Sequence, residues 1–124
     1  MKIAIDLDGT AWFHREFFKD FVNAMQFFGH EIGILTSHNC NLKTKDLELW
    51  KQGGFPEPDF YICKTDDEKK ELKETPGNNG TWKARMVREY SIDYLFDDLD
   101  GNEQYIDYFT KECPYTLFRV FGDK

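Results

Sequence analysis

The stretch Ile3-Ala4-Ile5-Asp6-Leu7-Asp8-Gly9-Thr10 decides how the rest of the chain is read. A short apolar run ends in two aspartates two positions apart, followed at once by a glycine and a threonine. Side chains alternate faces along a strand, so Asp6 and Asp8 leave on the same side if the strand continues through them. Gly9 lets the backbone turn sharply away. Two carboxylates crowded at a strand end repel unless a cation, a proton or a hydrogen-bond donor joins them. The spacing therefore points to a hard divalent cation of the magnesium type, held by oxygens.

Outward from this stretch the chain alternates strand-like and helix-like segments. Residues 2–6 read as a buried strand bounded by turn residues. Residues 15–29 read as a helix whose apolar face carries Phe17, Phe18, Phe21, Val22, Met25 and Phe28, with Gly29 as its stop. Glu31 to Leu35 form a second apolar run. It ends in Thr36-Ser37-His38-Asn39, a polar cluster placed as a ligand-binding loop. Leu42, Leu47 and Trp50 predict a helix over 42–52, closed by Gly53-Gly54. Pro56 and Pro58 mark a turn before a third strand from Phe60 to Cys63.

Residues 64–80 are charged and nearly devoid of apolar side chains, and predict a flexible loop with at most a short solvated helix around 66–74. Thr81 reads as the N-cap of a helix over 82–90 with Trp82, Met86 and Tyr90 on one face. Ile92 to Phe96 form a fourth strand that ends in Asp97-Asp98. A last helix over 101–112 faces Tyr105, Ile106 and Phe109 inward, and Thr116 to Phe121 form a fifth strand. Strands alternating with helices predict one α/β domain over 1–124. Its core is a three-layer Rossmann-like, mostly parallel five-stranded sheet, helices on both faces, joined by right-handed crossovers.

Composition narrows the function classes. The 124 residues carry a formal net charge of −7, which disfavours broad binding to nucleic acid or anionic membranes. No run of about 18 apolar residues is present, so no membrane span is expected. The N-terminal stretch has no signal-peptide pattern, and a cytoplasmic location follows as an expectation. Cys40, Cys63 and Cys113 are odd in number and form no CxxC pair, so they read as free thiols in a reducing compartment. His14, His30 and His38 read as surface or loop residues.

The polar residues fall at one edge. Asp6 and Asp8, then Thr36, then Asp97 and Asp98 all follow the C-terminal ends of predicted strands, the edge at which open α/β sheets bind ligands. These carboxylates call for a divalent cation. Lys83, near the start of its helix, is the candidate for compensating charge. Lys64, directly after the third strand, is its rival; the alternative reading of Lys64 is a solvated loop lysine.

Asp6-Leu7-Asp8-Gly9-Thr10, Thr36 after an apolar strand, the helical Lys83 and Phe96-Asp97-Asp98 resemble, in that order, the four motifs of the haloacid dehalogenase superfamily. The resemblance spans nearly the whole chain, and the DxDGT form and the late Asp-Asp pair are its most specific parts. It implies a magnesium-dependent phosphohydrolase with a Rossmann-like core. Asp6 would attack phosphorus and form an aspartyl-phosphate. Asp8 would protonate the leaving oxygen and then activate water. Thr36 and Lys83 would hold the phosphoryl oxygens. Asp6, the main-chain carbonyl of Asp8, and Asp98 would ligate Mg2+, with Asp97 beside them. An acidic residue at the position of Asp8 separates the phosphoryl-transfer members from the dehalogenases, so the implied activity is a phosphatase.

Gly9, Thr10, Ser37 and Asn39 complete the expected phosphate and substrate contacts. His14, Arg15 and His38 lie near the predicted rim, Arg85 and Arg88 read as solvated helix residues, and Asn102 stands where many relatives are acidic. Too few residues separate the first two motifs for a large cap domain. An open site would suit a phosphorylated protein or a nucleic-acid end, or a small molecule closed over by a second subunit of a homo-oligomer. Two other classes compete. One is a catalytically degenerate phosphate-binding module. The other is a receiver-like phospho-acceptor switch, whose paired acids come early in the chain rather than late.

Overall fold

Alternation along Lys2–Ile5 (β1) already defines three layers. Ile3 and Ile5 enter one apolar cluster and Ala4 enters another, on the opposite face of the sheet. The computed structural model describes residues 1–72, 78–98, 111 and 117–121. Within it follow Arg15–Phe27 (α1), Glu31–Asn39 (β2), Lys43–Gln52 (α2), Tyr61–Lys64 (β3), Asp66–Leu72 (α3), Asn78–Glu89 (α4), Tyr94–Asp97 (β4) and Leu117–Arg119 (β5). The five strands form one sheet in the order β3-β2-β1-β4-β5, and every pairing is parallel. This is the expected α/β, Rossmann-like architecture.

One face of the sheet meets α1 and α2 through Ile3, Ile5, Ile32 and Ile34 against Phe18, Val22 and Trp50. The other meets α4 through Ala4, Leu35, Ile62 and Leu95 against Trp82, Met86 and Val87. A strand buried on both faces reads as a continuous apolar run, which is why 3–5 and 32–35 were legible. At Gly33 a side chain would strike the carbonyl and ring of Phe60, so the β2–β3 edge needs a glycine there. Among the described residues no helix is long and apolar enough to cross a membrane.

Several expectations need correction. β2 runs on to Asn39, so Ser37 and His38 lie on a strand rather than in a loop. β3 accompanies β2 past the end of β1 and carries the ladder further, to the pair Asn39 and Lys64. That pairing also places Cys40 next to Cys63, and the two form a disulfide with Cα atoms 5.1 Å apart. They are not free thiols, and the inference from them to a reducing compartment falls. Lys64 is not a solvated loop lysine; it is the last residue of β3 and is buried, its ammonium 5.2 Å from the centre of the Trp82 ring.

α4 begins at Asn78, ahead of the expected cap at Thr81. A first helical turn lacks intrahelical partners for its N–H groups anyway, so poor helix formers are tolerated there. The aromatic stripe of α1 is wider than its contact. Phe18 and Val22 are buried, whereas Phe17 and Phe28 are exposed. Tyr90 and Leu42 are likewise exposed rather than facing in. The expected helix over 101–112, with Asn102, Tyr105, Ile106 and Phe109, falls almost wholly outside the described residues, as does Cys113.

Candidate active site

β1 delivers Asp6 to the C-terminal edge of the sheet, where its N–H donates to the Phe96 carbonyl of β4 at 2.9 Å. The chain then coils through Leu7–Ala11, with Gly9 at φ +72°. A Cβ at Gly9 would collide with the Asp98 carboxylate, so glycine here serves both the turn and the close approach. Asp97 closes β4 beside β1, and Asp98 follows it. As a result one carboxylate oxygen from each of Asp6, Asp97 and Asp98 lies within 4.8 Å of the others, and all three residues are buried.

Lys83 comes up from α4 on the far side. Its Nζ donates to Asp6 Oδ1 at 2.9 Å and also to Asp97 Oδ2. Three carboxylates against this one ammonium leave two formal negative charges in a buried spot. The electrostatics follow. Burial, and then the Asp97 charge, push the Asp6 carboxyl up to about 8 against the pull of Lys83. Burial opposes the Lys83 charge, but Asp6 and Asp97 outweigh it and raise its pKa above the ordinary lysine value. Lys64 moves the other way: burial, then the nearby Lys83 charge, lower its pKa. Three hard oxygen donors with a deficit of two positive charges fit a divalent cation of the magnesium type. Thr10, two residues after Asp8, has its Oγ1 buried without a hydrogen-bond partner among the described residues.

Asp8 departs from this set. Its carboxylate turns to solvent, 72% exposed, and meets His38 Nε2 at 2.6 Å. His38 Nδ1 meets Asp46 Oδ2 at 2.8 Å, and the Tyr61 hydroxyl donates to the same oxygen at 2.6 Å. Burial works against a charged His38, but the bonds to Asp46 and Asp8 prevail and raise its pKa. Burial and the Asp46 carboxylate together raise the pKa of Tyr61.

Of the expected site residues, the structure brings Asp6, Asp97, Asp98, Gly9 and Lys83 together. Thr36 is buried on β2, and its Oγ1 accepts the His38 N–H at 3.2 Å. Ser37 is half-buried on the same strand. Asn39 is committed elsewhere: its amide donates to Asp66 and accepts from the Asn41 N–H. His14 bonds the Phe121 carbonyl and Arg15 lies over the Trp12 ring. Arg85 pairs with Glu68 and Glu71.

Sequence reasoning missed Asp46 and Tyr61 and took His38 for a surface or loop residue near the rim. One signal was present. Asp46 stands four residues before Trp50 and so shares the inward face of its helix, where an unpaired carboxylate is costly. Comparison with protein-family models, with curated proteins and with solved structures finds no match to this chain.

Proposed function

We propose that this protein is a magnesium-dependent phosphomonoester hydrolase of the haloacid dehalogenase type, acting through an aspartyl-phosphate on Asp6. The observation that carries the reading is the meeting of Asp6, Asp97 and Asp98 around the C-terminal edge of the sheet, with Lys83 bridging the first two. Asp6, Asp98 and the Asp8 main-chain carbonyl would hold Mg2+, with Asp97 beside them. When bound, Mg2+ supplies positive charge that lets an anionic ester approach an anionic nucleophile.

The chain's own residues do the rest. Lys83 engages Asp6 through Oδ1, which leaves Oδ2 to attack phosphorus. The P–O bond to the leaving group breaks as the bond to Asp6 forms, and Asp8 gives the leaving oxygen its proton. Asp8 then takes a proton from water, whose oxygen attacks the phosphoryl group and returns Asp6 free. Lys83 and the Thr36 hydroxyl offset the charge that gathers on the phosphoryl oxygens. Asp8 is the most exposed of these groups, so the alcohol part of the ester lies at the open mouth, where a small molecule or the end of a larger chain is accommodated.

The test is turnover of a generic aryl phosphate with Mg2+, with EDTA, and with Asp6→Asn. Metal-dependent hydrolysis lost in Asp6→Asn is expected, and Asp8→Asn should fall by about 10²–10⁴-fold. Stable phosphorylation without turnover would favour the acceptor switch, and phosphate binding with no chemistry would favour a degenerate module.

A further inference from the structure

We propose that His38 is a positioning residue for Asp8, held in place by Asp46 and Tyr61 across three elements of the fold. This rests on the phosphatase reading of the site and adds to it the group that orients its acid. The hydrogen bonds form a continuous run, from Tyr61 on β3 to Asp46 on α2, to His38 on β2, to Asp8 on the turn after β1. Exposure climbs along the run: the side chains of Asp46, His38 and Asp8 are 6%, 22% and 72% exposed. Its inner end is therefore rigid and its outer end reaches solvent.

An exposed ion pair alone fixes little, because two mobile side chains lose entropy in meeting. Here the imidazole is set before it meets Asp8. Its Nδ1 is bonded to a buried carboxylate that a tyrosine hydroxyl also grips. Nδ1 lies 2.8 Å from Asp46 Oδ2 and Nε2 2.6 Å from Asp8 Oδ2; in this proposal both ring nitrogens donate, and His38 presents a fixed N–H to Asp8 Oδ2. Oδ1 of Asp8 is left for the leaving oxygen. When Asp8 has given up its proton, the N–H of His38 steadies the carboxylate that remains, and that carboxylate next accepts the proton of water. No other covalent change is needed. A run of bonds serving only to staple β2 to α2 would not need Asp8 at its end.

The test compares two substrates that differ in how much they need an acid. 4-Nitrophenyl phosphate has a leaving group stable as an anion; phenyl phosphate depends more on protonation. For His38→Ala we expect kcat on phenyl phosphate to fall by about 10–100-fold, and on 4-nitrophenyl phosphate by only about 2–5-fold. His38→Gln, whose amide also donates, should recover part of the loss. Equal losses on both esters would overturn the proposal, as would full activity in His38→Ala. A second measurement stands apart from turnover: nitrogen-15 NMR of the histidine ring in the whole protein. Two bonded N–H signals from His38 are expected, with the Nε2 signal lost in Asp8→Ala and the Nδ1 signal kept. A single N–H, or no response to Asp8→Ala, overturns the run of bonds. Should the wild-type protein hydrolyse neither ester, the phosphatase reading fails, and the ring signals still decide the hydrogen-bond run.

Discussion

Lys83 lies between Asp6 and Asp97 with its side chain 7% exposed, whereas His38 lies between Asp46 and Asp8 with its side chain 22% exposed and the outer carboxylate in water. Both are a basic side chain gripped by two aspartates at the same edge of one sheet. They differ in what water does. The Lys83 set spans β1, β4 and α4 under full burial, so charge balance dominates and any unpaired member is costly. The His38 set spans β2, β3, α2 and the turn after β1. Its outer charge is solvated, so loss of Asp8 costs orientation more than stability. In the function proposed here, one half of the site would hold charge for a cation, and the other would aim a proton donor.

The largest effect should come from breaking the buried half. Lys83→Met keeps the stem and removes the ammonium, leaving Asp6 and Asp97 without it. A loss of about 3–5 kcal/mol in urea unfolding is expected, partly restored by Mg2+. A loss under 1 kcal/mol would mean the buried carboxylates balance without Lys83. At the far end of the β2–β3 pairing the Cys40–Cys63 disulfide also carries weight. It closes a separation of 23 residues, so replacing Cys40 and Cys63 together by Ser should cost about 3 kcal/mol. Reduction of the wild-type protein should match that cost and leave the Cys40→Ser, Cys63→Ser variant unmoved.

Gly9→Ala tests the seam between the halves. The residue sits at φ +72° against the Asp98 carboxylate, so a methyl group should cost about 1–3 kcal/mol and blunt the rise of the thermal midpoint with Mg2+. A variant as stable and as responsive as the wild type would show that Asp98 does not need this approach.

The smallest effect is a control outside both sets. Glu68 accepts from the Thr65 N–H and from Trp82 Nε1. Burial would raise its pKa, but these bonds, with Arg85, lower it below the ordinary 4.5. A depressed folded value adds stability that is present above the unfolded pKa and lost as pH falls through the folded one. Glu68→Gln should therefore cost about 1 kcal/mol near neutral pH. The gap from the wild type should close as pH falls below the ordinary 4.5, where the stability curves should merge. A gap that persists there would assign the effect to geometry rather than charge.

The two halves were not equally legible in the sequence. Asp6, Asp97 and Asp98 end apolar strands, and strand order then fixes where they meet, so the buried half followed from local pattern. Lys83 was preferred to Lys64 because it precedes the Asp97-Asp98 strand by about one helix, as the resemblance to the haloacid dehalogenase motifs implies. The fold buries both lysines, with Lys83 bonded to Asp6. The outer half was hidden because it depends on register. Asn39 pairs with Lys64 only after an irregularity in the β2–β3 ladder, and that shift also joins Cys40 to Cys63. Period-two and period-3.6 patterns carry no record of such a shift. The same limit explains Phe17 and Phe28: an apolar stripe gives direction, but the width of the surface beneath it is a tertiary property.

The most direct test of the central claim is to stop the reaction of an aryl phosphate with acid, in the presence of Mg2+, and map the phosphorylated residue by peptide mass. The phosphate is expected on Asp6, absent with EDTA and absent in Asp6→Asn. Phosphate on any other side chain, or turnover that survives Asp6→Asn, would contradict the account.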